Sequence, residues 1–464
     1  MRIVITGIGF RSALGDLAST WQSLIAGKSG IELHQPFADL PPLPLALIEK
    51  APLDVITLTQ MVVAEAVKDA GLSLPLPDCG VAIGSSRGSQ AQWEKFAANG
   101  QDLSGWLDTL PHSPAIAAAR YIGSQSALLA PMAACATGIV ALSQAIGLMR
   151  SGACERAIAG AVEAPITPLT ITGFRQMGAL ATRGCYPFDR SREGLVLGEA
   201  GAVFVLESAT LAEARGAKIY GEVLGCGLTN DAYHLCAVDF DLGAAISAID
   251  RSLSYHLTID SHQGFPNPKS CLVSLLTSGS PTLALAKPLP QQKPLRRSYA
   301  SRKIQNPLGA FHCRGTRTVH ASAKSKIDYI HAHGTGTSLN DWRESQLIER
   351  MFPQGVPISS TKGATGHTLG ASGAVGIALC LKSIATQILP PSVGLIDSEF
   401  DLDFVMTPRQ TTVNRVLCLS FGFGGQNASI LLQKWSETTT NLALTPNPSP
   451  KLGRGEPEPE ARAG

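Results

Sequence analysis

None of the ten cysteines in this 464-residue chain belongs to a C-x-x-C pair. Many sit inside apolar runs instead, which excludes a disulfide framework and a zinc site. Free thiols in a reducing compartment are the simplest account. No uninterrupted apolar run of membrane-span length is present. The opening MRIVITGIGF is a short β-like run without the layout of a signal peptide. A soluble cytoplasmic protein with no membrane span is the expectation. Gly7 and Gly9 form a GxG without a third glycine at the dinucleotide spacing, so no nucleotide cofactor is read from it. Acidic residues are missing from one stretch. Residues 261–327 hold eleven Lys/Arg and no Asp/Glu, leaving the rest at 27 basic against 36 acidic. The net charge of +2 hides that asymmetry. The basic stretch has few aromatics and no nucleic-acid-binding motif, so no nucleic-acid partner is inferred.

What is there is apolar and periodic. At 44% hydrophobic, the chain can bury a large core. Residues 130–138 (APMAACATG) read as the end of a strand, a tight turn and a helix start, with Cys135 in the turn. Residues 139–149 are apolar nearly all round a helical wheel, as in a buried helix. Near a helix start the free N–H groups and the dipole favour an anion, so the Cys135 thiol is expected to ionise more easily. A buried structural cysteine is the competing reading.

In chain order the periodicity predicts a strand over 2–9, helices over 16–27 and 58–70, and a strand over 79–86. The Cys135 unit and strands over 155–162, 194–207 and 218–228 follow. A short helix is expected at 210–216 and another at 242–253. Pattern fails over 262–325 and restarts as a strand over 326–333. A charged helix over 340–351, a strand over 356–360 and a buried helix over 370–386 come next. Strands over 416–421 and 428–432, joined by a glycine-rich turn, complete the set. The order of elements in the first half returns after Lys218. Alternating β and α with apolar strands implies parallel-rich sheets covered by helices.

Four further stretches carry groups that could do chemistry: His331-Ala332-His333-Gly334-Thr335-Gly336-Thr337, Ser360 to His367 (STKGATGH), Ser420 to Asn427 (SFGFGGQN), and Asp341 with Glu344, three apart on one helix face. Each alone has a bland reading as turn, surface lysine or solvated helix face. Each loop, however, follows an apolar strand, where active-site loops of α/β folds lie. One Cys, two His and an exposed backbone N–H turn suit acyl transfer to sulfur followed by carbanion chemistry. A cysteine hydrolase is the other reading, but it needs only one base.

These residues resemble a known family, the β-ketoacyl-acyl-carrier-protein synthases of the elongating type. The resemblance rests on A-C-x-T-G at Cys135, A-H-G-T-x-T at His333, S-T-K-x-x-x-G-H at Lys362 and His367, and G-F-G-G-x-N at Phe423. Leu24 to Gly30, Phe188-Asp189-Arg190 and Gly194 to Glu199 add to it. It runs from Met1 to about Trp435, apart from 262–325. It implies the α/β thiolase fold: two βαβαβαββ halves related by a pseudo-twofold, in five layers α-β-α-β-α. The expected halves are 1–215, with the nucleophile, and 216–435, with both histidines and an atypical insertion at 262–325. A disordered tail is expected over 436–464.

The implied reaction is decarboxylative Claisen condensation of an acyl thioester with malonyl-acyl-carrier-protein, giving 3-oxoacyl-acyl-carrier-protein in fatty acid or polyketide-type elongation. By motif, Cys135 is the nucleophile, while His333 and His367 assist decarboxylation and stabilise the enolate. The backbone N–H groups of Cys135 and Phe423 form the oxyanion hole, and Phe423 is also the gate. Lys362 and Glu344 support the histidines, and Thr335 and Thr337 contact malonyl or pantetheine. No cofactor and no metal are implied. Acyl carrier protein and a second copy of the chain are the implied partners, with Arg190 and Arg192 as candidate docking cations. The Cys–His–His set separates this subgroup from initiating synthases (Cys–His–Asn) and thiolases (Cys–His–Cys). A non-catalytic chain-length-factor-like partner is the alternative, and retention of Cys135 weighs against it. Ala133, His331, Gly363, Ala364 and Gln426 depart from the common pattern, and His331 is expected to add an imidazole near the site. The segment between Cys79 and Cys135 is short, which bears on the acyl pocket.

Overall fold

The computed structural model describes residues 1–99, 103–236, 239–254 and 327–436. The insertion expected over 262–325 and the tail beyond Ser436 lie outside the described residues. Fourteen strands are described. In the first half they are β1 (Ile3–Ser12), β2 (Glu32–His34), β3 (Leu43–Leu45), β4 (Gly80–Gly84), β5 (Leu128–Leu129), β6 (Arg156–Glu163) and β7 (Ala200–Ser208). The second half holds β8 (Gly221–Asn230), β9 (Tyr329–His331), β10 (Ile358–Ser359), β11 (Ile388–Leu389), β12 (Arg409–Gln410), β13 (Arg415–Gly422) and β14 (Gln426–Gln433). Two pairs, β2–β3 and β11–β12, stand apart, and the rest are hydrogen-bonded in the order β10-β9-β13-β14-β8-β1-β7-β6-β4-β5.

That order contains the repeat. Numbering each half's five strands from its own start, both run 1-5-4-2-3 outward from the β1–β8 junction. The pairing pattern also repeats. β1–β7 and β7–β6 are antiparallel while β6–β4 and β4–β5 are parallel. Likewise β8–β14 and β14–β13 are antiparallel while β13–β9 and β9–β10 are parallel. The junction itself is only Val4 opposite Glu222 and Ile5 opposite Gly221. The architecture is the thiolase-like α/β fold.

Helices occupy three layers. Val55–Asp69 and Ser113–Ile122 bury Leu58, Val62, Val63 and Ile122 on the outer face of the first half. Gly243–Ser254 and Ser338–Met351 do the same with Ile249, Leu347 and Ile348 on the second. Between the halves lie Thr137–Arg150 and Ser372–Thr386. Their Leu142, Ile146, Ile377 and Leu381 share one core with both halves. Each such side chain contributes about 1.5–3 kcal/mol when fully buried.

The two central helices cross closely because of glycine. A Cβ on Gly138 would lie 2.5 Å from Ala374 N, and one on Gly373 would lie 2.9 Å from the Ile139 side chain. Local signals set other helix starts. Asp16 accepts from Ser19 N, and Asp54 accepts from Ile56 N and Thr57 N.

The stretch Leu369–Thr386 corrects the reading of apolar runs. It is 18 residues long with mean hydropathy 1.5, enough by length and composition to cross a membrane, but 83% of it is buried within the protein. It is apolar because it is the central layer. Residues 130–134 are not strand, because β5 ends at Leu129 and the chain crosses to the helix through an irregular turn. Pairing begins at Ala200 rather than Gly194, since residues 194–199 make single bridges to other loops instead. Helices Gln90–Asn99, Ser113–Ile122 and Pro168–Gln176 are not among the elements expected from sequence.

Candidate active site

Cys135, His333 and His367 converge from three separate segments. One donor atom from each lies within 4.8 Å of the other two. All three are buried. The imidazoles meet edge to face, with ring centroids 5.3 Å apart.

Cys135 stands two residues before the first central helix, after Ala134 at φ +46°. That left-handed backbone is costly for a residue with a Cβ, so the turn is held from outside. Thr137 Oγ1 accepts from Ala133 N (2.9 Å) and donates to Ala134 O (2.7 Å). Ser420 Oγ donates to Cys135 O at 2.8 Å. Gly422 passes so near that its Cβ would lie 2.8 Å from Ala133 O and 3.0 Å from Cys135 N. The next residue, Phe423, aims its backbone N–H at the thiol. The Phe423 ring is partly exposed and lies 6.1 Å from the Phe174 ring.

Burial decides the ionisation state of each group. It pushes the Cys135 thiol up to about 11, against the opposing pull of Lys362 and of the Phe423 N–H. The thiol is therefore not the easily ionised one expected at a helix start. Burial also holds His333 well below the ordinary histidine value, helped by the Lys362 charge. His367 is lowered well below it for the same reasons in the same order. Both imidazoles are neutral.

Neutral imidazoles have a tautomer, and the contacts assign it for one of them. His367 Nδ1 accepts from Leu369 N at 3.1 Å, with Ser372 Oγ at 3.0 Å. Its proton is then on Nε2. His333 Nδ1 has Lys362 Nζ at 3.5 Å, a looser hold.

The loop carrying His333 hangs on two carboxylates of the charged helix. Glu344 accepts from His333 N (2.6 Å) and Gly334 N (2.7 Å). Asp341 accepts from Thr335 N (2.9 Å), Gly336 N (3.1 Å) and Phe188 N (2.8 Å). Both are buried, so this face is no solvated helix face. Burial raises both, Glu344 to about 7. Lys362 is buried as well, donating to His333 O; burial lowers it and Glu344 opposes that. Thr335 and Thr337 share a 2.8 Å hydroxyl contact beside this loop. A metal ion could bridge Cys135, His333 and His367 by spacing alone, but the Lys362 ammonium opposes a dication there.

One expectation is narrowed and another needs correcting. His331 lies near the site, close enough to act on His333, but it is not part of the cluster. Its Nε2 meets Thr361 Oγ1 at 3.1 Å and its Nδ1 faces Cys418 Sγ at 3.9 Å. It packs so tightly on the second central helix that a Cβ on Gly376 would lie 2.8 Å from its ring. Arg192 is not an open docking cation. Its side chain is 6% exposed, paired with Glu399 at 2.5 Å and stacked 4.9 Å over Phe400. Arg190 stays exposed, paired with Asp397 at 3.0 Å.

Other residues matter that sequence reading passed over. Buried Arg343 pairs with Asp231 at 3.0 Å, and Asn427 Nδ2 donates to Asp231 at 2.7 Å, bracing the glycine turn from behind. Glu163, at the end of β6, accepts from Gly370 N at 2.9 Å and from the loop after β4. Nothing in their local spacing sets them apart from surface charges.

The sequence matches the β-ketoacyl synthase N-terminal domain over residues 54–212 and the C-terminal domain over 299–395. Together these cover more than half of the chain. The chain belongs to the β-ketoacyl synthases. A 3-oxoacyl-[acyl-carrier-protein] synthase 2 of Coxiella burnetii is 29% identical over 93% of this synthase and 98% of its own length. One of Vibrio harveyi is 28% identical over 94% and 99%. Among solved structures, a β-ketoacyl synthase from Burkholderia phymatum superposes with TM-score 0.74 at 24% identity, over 94% of this synthase and all of its own chain. The ishigamide ketosynthase/chain length factor does so with TM-score 0.75 at 24% identity, covering 94% and 99%. At those identities the structural likeness concerns the fold. This synthase is a condensing enzyme of acyltransferase type.

Proposed function

We propose that this synthase elongates acyl chains carried on acyl carrier protein by decarboxylative condensation with malonyl-acyl-carrier-protein. The observation that carries this is the single buried cluster of Cys135, His333 and His367. The intact cluster favours catalysis over the non-catalytic partner. Cys135 Sγ attacks the acyl thioester. His333, whose Nδ1 is loosely held, takes the thiol proton on Nε2 and passes it to the departing carrier thiolate. Malonyl thioester then binds and its C–C bond breaks, releasing CO2. The electron pair moves onto the thioester oxygen, which accepts from the Nε2–H of His367 and from that of His333 once the loosely held Nδ1 proton has moved to Nε2. The enolate carbon attacks the Cys135 thioester, and its oxyanion accepts from the N–H groups of Cys135 and Phe423. Collapse expels the Cys135 thiolate and leaves 3-oxoacyl product on the carrier. Donors fixed before charge develops need no reorganisation and lower the barrier directly.

Phe423, beside Phe174, gates the acyl entrance in this reading. Lys362 and Glu344 hold the His333 loop, and Thr335 and Thr337 meet malonyl or pantetheine. Residues 1–215 and 216–435 are the two halves, and the working unit is a homodimer. We place the synthase in the cytoplasm on its free thiols, although a relative from Schizosaccharomyces pombe carries "mitochondrial" in its name.

Intact-protein mass spectrometry after incubation with acyl-carrier-protein thioesters of several lengths tests the proposal. The expected result is one acyl adduct, absent in Cys135→Ala. No adduct from a folded protein with any donor would overturn it.

A further inference from the structure

Arg87 sits in the loop after β4 among small residues, Ser85-Ser86-Arg87-Gly88-Ser89. The loop is fixed by Glu163, which accepts from Ser85 Oγ, Ser86 N, Ser86 Oγ, Arg87 N and Gly370 N. Five donors saturate one carboxylate, which has about four lone-pair sites. Glu163 therefore has nothing left for the Arg87 guanidinium. Among the described residues that guanidinium has no carboxylate partner, and its Nε is buried without a hydrogen bond. What it does meet is the face of Phe174, with Cζ 5.7 Å from the ring centre. Phe174 is the ring that also meets Phe423, and it shares an apolar cluster with Cys135, Ile171 and Leu369. The Arg87 charge is felt at the Cys135 thiol, where it favours the thiolate.

A cation beside the nucleophile's apolar surroundings has a chemical consequence. A saturated alkyl chain laid against Phe174 strips water from the guanidinium and gives nothing back. A chain carrying an oxygen acceptor replaces that water with a hydrogen bond, charge-assisted if the acceptor is a carboxylate.

We propose that Arg87 is a specificity-determining residue that selects acyl groups bearing an oxygen acceptor, ketone or carboxylate, over saturated chains of equal length. The inference rests on the proposed acylation of Cys135 and names the substrate class of that same step.

The test uses the full chain and pantetheine thioesters in matched sets of three lengths. Each set holds a saturated acyl group, one ending in a methyl ketone and one ending in a carboxylate. Cys135 adduct formation is timed by mass spectrometry for wild type, Arg87→Leu, Arg87→Gln and Arg87→Lys. At one length or more, wild type should load an oxygenated donor about tenfold faster than its saturated twin. Arg87→Leu and Arg87→Gln should bring the ratio to parity or invert it, and Arg87→Lys should keep a preference for the carboxylate. The ketone and carboxylate arms identify which acceptor is selected. Ratios within one variant are insensitive to how much of it is folded, and two neutral variants guard against one that fails to fold. Saturated donors preferred by wild type at every length, or a ratio unchanged in both neutral variants, would overturn the proposal. Absence of any Cys135 adduct in wild type would instead sink the underlying acylation reading.

Discussion

The close crossing of the central helices predicts opposite outcomes for one substitution at two places. Thr137–Arg150 contains Gly138 and Gly147. Helix propensity alone says that Gly→Ala stabilises by about 1 kcal/mol at either. At Gly147 a Cβ meets nothing within 4 Å, so Gly147→Ala should show that gain. At Gly138 a Cβ would lie 2.5 Å from Ala374 N and 3.0 Å from Ala374 Cβ. Ordinary contact begins roughly 1 Å further out, and a backbone nitrogen cannot rotate away. The helix axes must separate by about that much, and overpacking of this kind costs about 1–3 kcal/mol, enough to outweigh propensity. The shift would also move Cys135, just before one helix, relative to His367, just before the other. A misplacement near 1 Å costs roughly a hundredfold in rate. Paired thermal melts and single-turnover condensation assays measure both. Gly138→Ala should melt lower than wild type and condense at least about tenfold slower, while Gly147→Ala melts higher with unchanged turnover. Ala374→Gly should not rescue Gly138→Ala, since the nearest atom is main chain. A Gly138→Ala variant as stable and active as Gly147→Ala would refute the crossing as the element that sets the site.

Four further outcomes follow from the structure. Glu344→Gln keeps the shape but leaves one of two loop N–H groups without an acceptor, at a cost of about 1–3 kcal/mol; denaturant titration should show that loss, and condensation should fall more than Cys135 loading does. Because burial holds the thiol near 11, alkylation of Cys135 by iodoacetamide in the free enzyme should be slow at pH 7 and rise about tenfold per pH unit above it; a pH-flat rate above 7 would show an acidic thiol. Because both imidazoles are held well below the ordinary histidine value, they gain protons only when pH falls through those lowered values, so condensation by Glu344→Gln, which lacks the carboxylate that titrates near 7, should show no further fall down to pH 6.5. Arg192→Glu should lower the melting temperature, since it sets a carboxylate against Glu399 in a largely buried place; a normal melt with only a raised KM for carrier-linked substrate would restore Arg192 as a docking residue.

The repeat of elements, the two buried helices and the Cys–His–His set were legible because each is written locally, in periodicity or in a short motif. The supports of the site were not. A helix reading Asp341-Trp342-Arg343-Glu344 looks the same whether its charges face water or a loop with unpaired N–H groups. His331 and His333 are two residues apart, but one packs on a core helix and the other turns into the site. The thiol shows most plainly why local rules lose. Placement near a helix start is worth about 0.3–1 kcal/mol to an anion. Burial moves Cys135 from 9.0 to about 11, which is on the order of 3 kcal/mol the other way. The larger effect is invisible in a nine-residue window, because it comes from the whole core closing over the turn. It is also the effect that the chemistry uses. Opening the site to water would acidify the thiol, but it would let His333 and His367 charge on mild acidification and free His367 to change tautomer. Two neutral imidazoles for an enolate oxygen, with the N–H of His367 fixed, therefore come at the expense of a resting thiolate, and the proton on Cys135 must leave only as substrate arrives.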